Sequence, residues 1–77
     1  MMRDIIREDI QIPITIACKL KGFRELRGYT QREVSNITGI TEVSISRYEN
    51  MKRVPDAVAI YKLAKCYRVD VSELYPN

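Results

Sequence analysis

Residues 30–50, with the sequence TQREVSNITGITEVSISRYEN, constrain the fold of this chain more than any other stretch. Thr30 is suited to cap a helix, and Glu33 three residues later completes the pattern of a capping box. Gly39 can adopt the left-handed backbone that ends a helix sharply. Thr41 can then cap a second helix that runs to the end of the stretch. Two short helices separated by one glycine are therefore predicted.

The second of these helices is predicted to have two distinct faces. Ile45 and Tyr48 lie three residues apart and would point toward the interior. The opposite face would carry Glu42, Val43, Ser46, Arg47 and Asn50. Such an outward face is how a helix-turn-helix offers a recognition helix to the DNA major groove. The same spacing also fits a helical hairpin inside a bundle, with a polar face turned to solvent.

Length and charge narrow the possible functions. A chain of 77 residues forms one domain and buries only about 60% of its unfolded surface, so it has little room for an enclosed catalytic pocket. The net charge is +3, and residues 14–53 hold eight of the 13 basic side chains but only four of the 10 acidic ones. This central concentration of positive charge suits a polyanionic partner.

Several classes of function are excluded by composition. The chain has no histidine, and Cys18 and Cys66 are far apart, so a zinc site is excluded and both cysteines are expected to be free, buried thiols. No nucleophile stands beside a base and no glycine-rich phosphate loop is present, so we expect neither an enzyme nor a cofactor. No apolar run approaches the ~20 residues of a membrane span. With no signal-peptide pattern either, a cytoplasmic protein is expected.

The N-terminal residues 1–13 differ in pattern from the rest. Isoleucines alternate with other residues from Ile10 to Ile16, a period of two that is typical of a strand. Pro13 favours extended geometry in the residue before it. We therefore predict an extended arm that lies on the helical body or pairs with another chain.

The remainder of the chain predicts three more helical segments. An apolar stripe predicts a helix over 14–27 that ends at Gly28. Asp56 can cap a further helix, and Asp70 can cap a final turn or two. The predicted fold is all-α, with five short helices on one core in a single domain over residues 14–77.

At this point the residues show a family resemblance. It is carried by LKGFRELRGYTQREVSNITGITEVSISRYENMKRVP and by LAKCYRVDVSELY. These segments resemble the Cro/repressor-type helix-turn-helix family, the lambda-repressor-like DNA-binding domains, over about residues 16–75. The resemblance implies a compact five-helix domain whose third helix enters the major groove of double-stranded DNA. It further implies a sequence-specific transcriptional regulator, expected to be a repressor of phage or mobile-element type.

Three residues depart from the family pattern. Ser35 occupies a helix contact where the family has alanine, and its hydroxyl needs a partner. Met51 and Arg68 replace glycines that end helices. A left-handed backbone would cost each of them roughly 1 kcal/mol or more, so the loop after the third helix is open to a different course.

The resemblance assigns base contacts to positions on the third helix. Glu42, Val43 and Arg47 match the family's base-contacting positions, with Ser44 and Ser46 as auxiliaries. Arg47 can bond guanine, Glu42 can accept from cytosine N4, and Val43 can contact a thymine methyl. A half-site with G·C pairs and a nearby T is therefore expected. The alternative for Glu42 is a residue that complements the helix dipole and contacts no base.

Phosphate contacts are expected at both ends of the motif. The family uses the residue matching Gln31 in this way, at the start of the second helix beside Thr30. Asn50, Lys52 and Arg53 would contact the backbone at the far end of the third helix. The alternative for Lys52 and Arg53 is an ordinary solvated loop.

The family also pairs the residues that match Arg24 and Glu49. This ion pair would join the first helix to the third, so a structural role is expected for both.

One such domain reads only about four base pairs, which is too little for a genome. A homodimer on a pseudo-palindromic operator is therefore expected, with half-sites about one helical turn apart. Its candidate surfaces are the arm and residues 69–75, and no small-molecule ligand is expected at this size. A bacterial or phage protein associated with the nucleoid would fit. The alternative function is an antitoxin or protein-interaction module of the same fold.

Overall fold

Between Met2 and Pro76, four α-helices and one 3₁₀ turn follow one another along the chain. The computed structural model describes the backbone of these residues, and side chains from Ile12 onward. The elements are α1 (Met2–Leu26), α2 (Gln31–Thr38), α3 (Glu42–Glu49), α4 (Ala57–Tyr67) and the 3₁₀ turn (Val71–Leu74). The all-α prediction is confirmed, although the fifth helix is only this 3₁₀ turn. None of the helices described is long and apolar enough to cross a bilayer.

The prediction of an extended arm over residues 1–13 is wrong for residues 2–13. The chain is helical from Met2, and α1 continues through Pro13 to Leu26. An isolated extended segment leaves its backbone groups unpaired, whereas a helix pairs nearly all of them and loses only the N–H that proline lacks. The alternating isoleucines were a poor guide because a short apolar run does not distinguish strand from helix. The arm was also expected to lie on the helical body or to pair with another chain. The side chains of residues 1–11, on which this depends, lie outside the described residues.

The start of the helical pair follows the sequence prediction closely. The Thr30 hydroxyl accepts from the Glu33 backbone N–H at 3.1 Å, and the Glu33 carboxylate accepts from the Thr30 N–H at 2.8 Å. Gly39 ends α2 with φ of 78°, and the Thr41 hydroxyl accepts from the Ser44 N–H at 3.1 Å to begin α3. The turn between α2 and α3 is therefore determined by local contacts.

Each of the four helices is followed by a left-handed residue, and α1, α3 and α4 share one hydrogen-bond pattern there. The left-handed residues after α1, α3 and α4 are Gly28 (φ 76°), Met51 (φ 59°) and Arg68 (φ 59°). In each case the next N–H bonds the carbonyl five residues earlier: Tyr29 to Arg24, Lys52 to Arg47, and Val69 to Ala64, at 2.8–3.1 Å. This is the Schellman pattern. Met51 and Arg68 thus adopt a left-handed backbone without the glycines that the resemblance led us to expect, at a cost of roughly 1–2 kcal/mol each.

One apolar core lies where α1, α3 and α4 meet α2 and the 3₁₀ turn. Its buried members are Ile16, Ala17, Leu20, Val34, Ile45, Tyr48, Ala59, Ile60, Leu63, Ala64, Tyr67 and Leu74. Ile45 and Tyr48 are buried as predicted, and Glu42, Val43 and Arg47 on the opposite face of α3 are exposed. Cys18 is exposed and Cys66 half-buried, so the prediction that both thiols are buried was wrong for Cys18.

Arg27 connects the ends of two helices in a way that the sequence did not indicate. It follows α1, and its Nε donates to the Tyr67 carbonyl at the end of α4 over 2.6 Å. The last carbonyls of a helix have no partner within the helix. Arg27 therefore caps α4 and joins α1 to it.

Tyr67 is the largest fully buried side chain of the core. Among the described residues, its hydroxyl has no hydrogen-bond partner. Burial raises the pKa of Tyr67 well above its ordinary value, and the Glu49 carboxylate raises it further while Arg24 opposes the shift. The folded protein therefore strongly disfavours the phenolate form of this residue.

We predict that Tyr67→Phe leaves the free energy of unfolding at pH 7 unchanged or raises it by about 1 kcal/mol, because it removes an unsatisfied buried hydroxyl. Since the folded-state pKa is raised, the stability linked to Tyr67 is fully present below its unfolded-state pKa of about 10 and is lost as pH rises above that value. The variant should lose less stability than the wild type between neutral and strongly alkaline pH in urea titrations. Tyr61→Phe, at an exposed tyrosine, is the control. A markedly destabilised Tyr67→Phe would contradict this account.

Candidate nucleic-acid interface

The outward face of α3 borders an open depression of about 410 Å³. Its lining residues come from the start of α2 and from α3: Gln31, Glu42, Val43, Ser46 and Arg47. Four of the five residues predicted to contact bases therefore share one surface with Gln31, one of the five residues predicted to contact phosphate. α3 can present them together because its apolar residues, Ile45 and Tyr48, point into the core.

The side chains at the centre of this surface are accessible. Val43 is 60% exposed, and Glu42 and Arg47 are exposed as well. The Glu42 carboxylate lies 3.7 Å from the Arg32 guanidinium in an exposed ion pair, an arrangement that contributes little to stability. The surface thus combines an apolar group with charges of both signs.

Two of the predicted contact residues are already engaged within α3. The Ser44 hydroxyl accepts from the Thr41 hydroxyl at 2.9 Å, so it belongs to the helix cap and lies outside the depression. The Asn50 amide folds back on α3 and donates to the Ser46 carbonyl at 2.8 Å and the Ser46 hydroxyl at 3.2 Å. Contact of these polar groups with DNA would have to replace or share those bonds.

The basic residues that follow α3 are both exposed. Lys52 contributes its backbone N–H to the end of α3, and its side chain extends from the loop that follows. The Arg53 guanidinium lies 6.0 Å from the centre of the Tyr48 ring, at the outer limit of a cation–π contact. Lys52 and Arg53 therefore follow the C-terminal end of α3, whereas Thr41 caps its N-terminal end.

The ion pair predicted between Arg24 and Glu49 is present and has two parallel contacts. Arg24 Nε lies 2.7 Å from Glu49 Oε2, and Arg24 Nη2 lies 3.0 Å from Oε1. Arg24 Nη1 also donates to the Tyr29 carbonyl at 2.8 Å. The Arg24 side chain is 12% exposed and that of Glu49 only 3%. The hydrogen bond to Glu49 raises the pKa of Arg24.

Gln31 makes a contact that sequence reasoning did not find. Its Nε2 donates to Glu49 Oε1 at 3.1 Å. Glu49 therefore accepts hydrogen bonds from Arg24 in α1 and from Gln31 at the start of α2. Gln31 and Glu49 lie 18 positions apart in the sequence, and no local sequence pattern links them.

Within the described part of the chain, no group of three metal-ligating side chains is found.

Comparisons with known proteins identify helix-turn-helix relatives of the chain. The family model HTH_3, described as helix-turn-helix, matches residues 20–74. The chain is 33% identical over 61 residues to ImmR, an HTH-type transcriptional regulator of Bacillus subtilis, across 79% of this chain and 48% of ImmR. It is 31% identical over 58 residues to YazB, an uncharacterized HTH-type transcriptional regulator of the same organism, across 75% of this chain and 84% of YazB.

A solved structure shares the fold. The restriction-modification controller protein C.AhdI from Aeromonas hydrophila superposes with a TM-score of 0.78 and 22% identity, over 82% of this chain and 96% of that one. At that identity the likeness concerns the fold alone. The chain spans about half the length of ImmR.

We predict that Arg24→Ala lowers the free energy of unfolding by about 2–3 kcal/mol, between the ~0–1 kcal/mol of an exposed pair and the larger loss at a fully buried one. The reason is that the Glu49 carboxylate would remain buried without its cationic partner. Chemical denaturation followed by circular dichroism measures the change. Arg32→Ala, which breaks the exposed pair with Glu42, is the matched control and should change stability by less than about 1 kcal/mol. Equal effects of the two substitutions would refute the structural role.

Proposed function

The chain belongs to the Cro/repressor-type helix-turn-helix family of DNA-binding transcriptional regulators, and on this premise we propose that it binds double-stranded DNA sequence-specifically as a repressor. In this proposal α3 lies in the major groove, and the protein acts in the cytoplasm of a bacterium or of a phage-infected cell. The observation that carries the proposal is the shared surface of α3 and the start of α2, where candidate base and phosphate contacts lie together.

Base recognition is assigned to the exposed side chains of α3. Arg47 would donate two hydrogen bonds to guanine O6 and N7, and Val43 would contact a thymine methyl. Glu42 would accept from cytosine N4, although its pairing with Arg32 also suits a residue that contacts no base. Ser46 is the nearer auxiliary, since it lines the depression with them whereas Ser44 does not.

Phosphate contacts are assigned to the two ends of the motif. Thr30 and Gln31 stand at the start of α2, where the helix dipole and unpaired backbone N–H groups attract an anion. Lys52 and Arg53 are exposed after α3, and Asn50 stands beside them. Contacts on both sides of α3 would hold the helix in register with the bases.

The proposal includes a homodimer on a pseudo-palindromic operator. A single domain of this kind buries too little surface for the affinity and specificity that a genome demands. Candidate dimer surfaces are the first half of α1 and the C-terminal segment, where Val71 is 36% and Tyr75 37% exposed.

A protein-interaction role, including that of an antitoxin, is the second candidate. A groove between α2 and α4 favours it. This groove of about 270 Å³ is lined by Ile37, Thr38, Tyr61, Lys62, Lys65 and Cys66. Ile37 and Tyr61 are 55% and 56% exposed, which leaves an apolar strip uncovered. Duplex binding that weakens steeply with salt would favour the DNA role, because it reports counterion release.

We predict that Arg47→Ala weakens binding to a preferred duplex about 10- to 100-fold, since one bidentate contact contributes about 1–3 kcal/mol of discrimination. Preferred sequences would first be selected from a random duplex pool. Binding would then be measured on a series with each base pair substituted. The preference for G·C should be lost at one or two positions and kept elsewhere.

Lys52→Ala is the matched control for this measurement. As a phosphate-contact variant it should weaken binding to every duplex by a similar factor and reduce the salt slope by about 0.9. A uniform loss for Arg47→Ala across the whole series would refute its role in base recognition.

We predict that a chain lacking residues 1–12 forms a weaker dimer than the full chain. Pro13 would then stand at the first position of α1, where its missing N–H costs nothing, and the buried residues from Ile16 onward would be kept. Sedimentation equilibrium of both chains, alone and with a selected duplex, measures the change. Unchanged dimer strength would assign the interface to the C-terminal segment instead.

A further inference from the structure

We infer that Glu49 is a positioning residue for DNA binding, because its buried carboxylate holds the side-chain amide of Gln31 with one N–H directed toward a phosphate. This inference rests on the proposed function. It gives the ion pair between Arg24 and Glu49 a second role beyond joining two helices.

The geometry places Glu49 behind Gln31. The Glu49 side chain is 3% exposed and stands at the end of α3, while Gln31 is the half-buried first residue of α2 and lines the depression. The contact of 3.1 Å from Gln31 Nε2 to Glu49 Oε1 crosses between these two helices. Gln31 thus reaches from the interior carboxylate to the surface.

The chemistry of the amide determines what Glu49 does to it. A primary amide has two N–H donors on nitrogen and an acceptor oxygen, whereas an ionised carboxylate and a phosphate only accept. Glu49 can therefore bind only the nitrogen end of Gln31. One N–H is used in that bond and the second remains for a phosphate. With no acceptor behind it, the amide could turn over and present its oxygen to the phosphate, which would repel it.

A carboxylate behind a phosphate site would repel the phosphate, but the positive charge of Arg24 offsets the negative charge of Glu49. Its guanidinium bonds both oxygens of Glu49, at 2.7 and 3.0 Å, and it is itself only 12% exposed. The pair is therefore neutral overall and rigid. Gln31 is held by a fixed acceptor before DNA arrives, so less ordering is left for the binding step.

A double-mutant cycle in DNA affinity tests the inference. The wild type, Gln31→Ala, Glu49→Gln and the double variant would each be titrated with a selected duplex well below their melting temperatures. Each single substitution should weaken binding about tenfold, the scale of one hydrogen bond to a charged group. The double variant should bind no more weakly than Gln31→Ala, because Glu49 acts through that residue. Independent, multiplicative losses would overturn the inference.

Two further variants keep the test informative. Glu49→Asp retains a charge for Arg24 but withdraws the carboxylate from Gln31, so it should reproduce the loss even if Glu49→Gln folds poorly. Arg27→Gln disturbs the cap of α4 without touching Gln31, and it should lower stability while leaving affinity unchanged. A similar loss of affinity in Arg27→Gln would mean that any weakened fold reduces binding, and the inference would fail.

A measurement without DNA separates the inference from the proposed function. Nitrogen-edited NMR should show one Gln31 side-chain proton shifted and protected in the wild type, and two ordinary protons in Glu49→Asp. The absence of that difference would overturn the inference even if DNA binding is strong. By contrast, a wild-type chain that shows the protected proton but no salt-dependent duplex binding would refute the proposed function.

Discussion

The bidentate ion pair between Arg24 and Glu49 is the contact on which the arrangement of the helical pair depends. It joins α1 to the end of α3, and Arg24 also fixes the link between α1 and α2 through the Tyr29 carbonyl. Gln31 adds α2 to the same carboxylate. Because both charges are largely removed from water, each needs the other to offset the cost of its desolvation. These buried hydrogen bonds fix the orientation of the outward face of α3.

The ends of the helices matter as much as their packing. Each of α1, α3 and α4 stops in a left-handed residue that returns the chain toward the core. Gly28 adopts this geometry without strain, whereas Met51 and Arg68 adopt it against the preference of a residue with a Cβ. At Met51 the result is a loop that leaves α3 along a defined path, with Lys52 and Arg53 exposed directly after it.

Sequence reasoning succeeded where the determining contacts are local. The cap at Thr30, the left-handed Gly39 and the inward pair Ile45 and Tyr48 all depend on neighbours within four residues, and all were predicted. It failed for residues 2–13, because a two-residue period over a short run and one proline were weighed above the continuity of α1. It also failed for the burial of Cys18, whose thiol was expected to be buried but is exposed.

The candidate interface also combines features that local sequence determines with features that depend on tertiary packing. The sequence by itself determined which residues face outward on α3, since that follows from the 3.6-residue period and from the caps that begin and end the helix. Only the tertiary structure decided that Arg27 caps α4 and that Gln31 is tied to Glu49, across 40 and 18 positions of chain. Hydrogen bonds between helices depend on how those helices pack, and packing distances between distant segments leave no local pattern in a sequence.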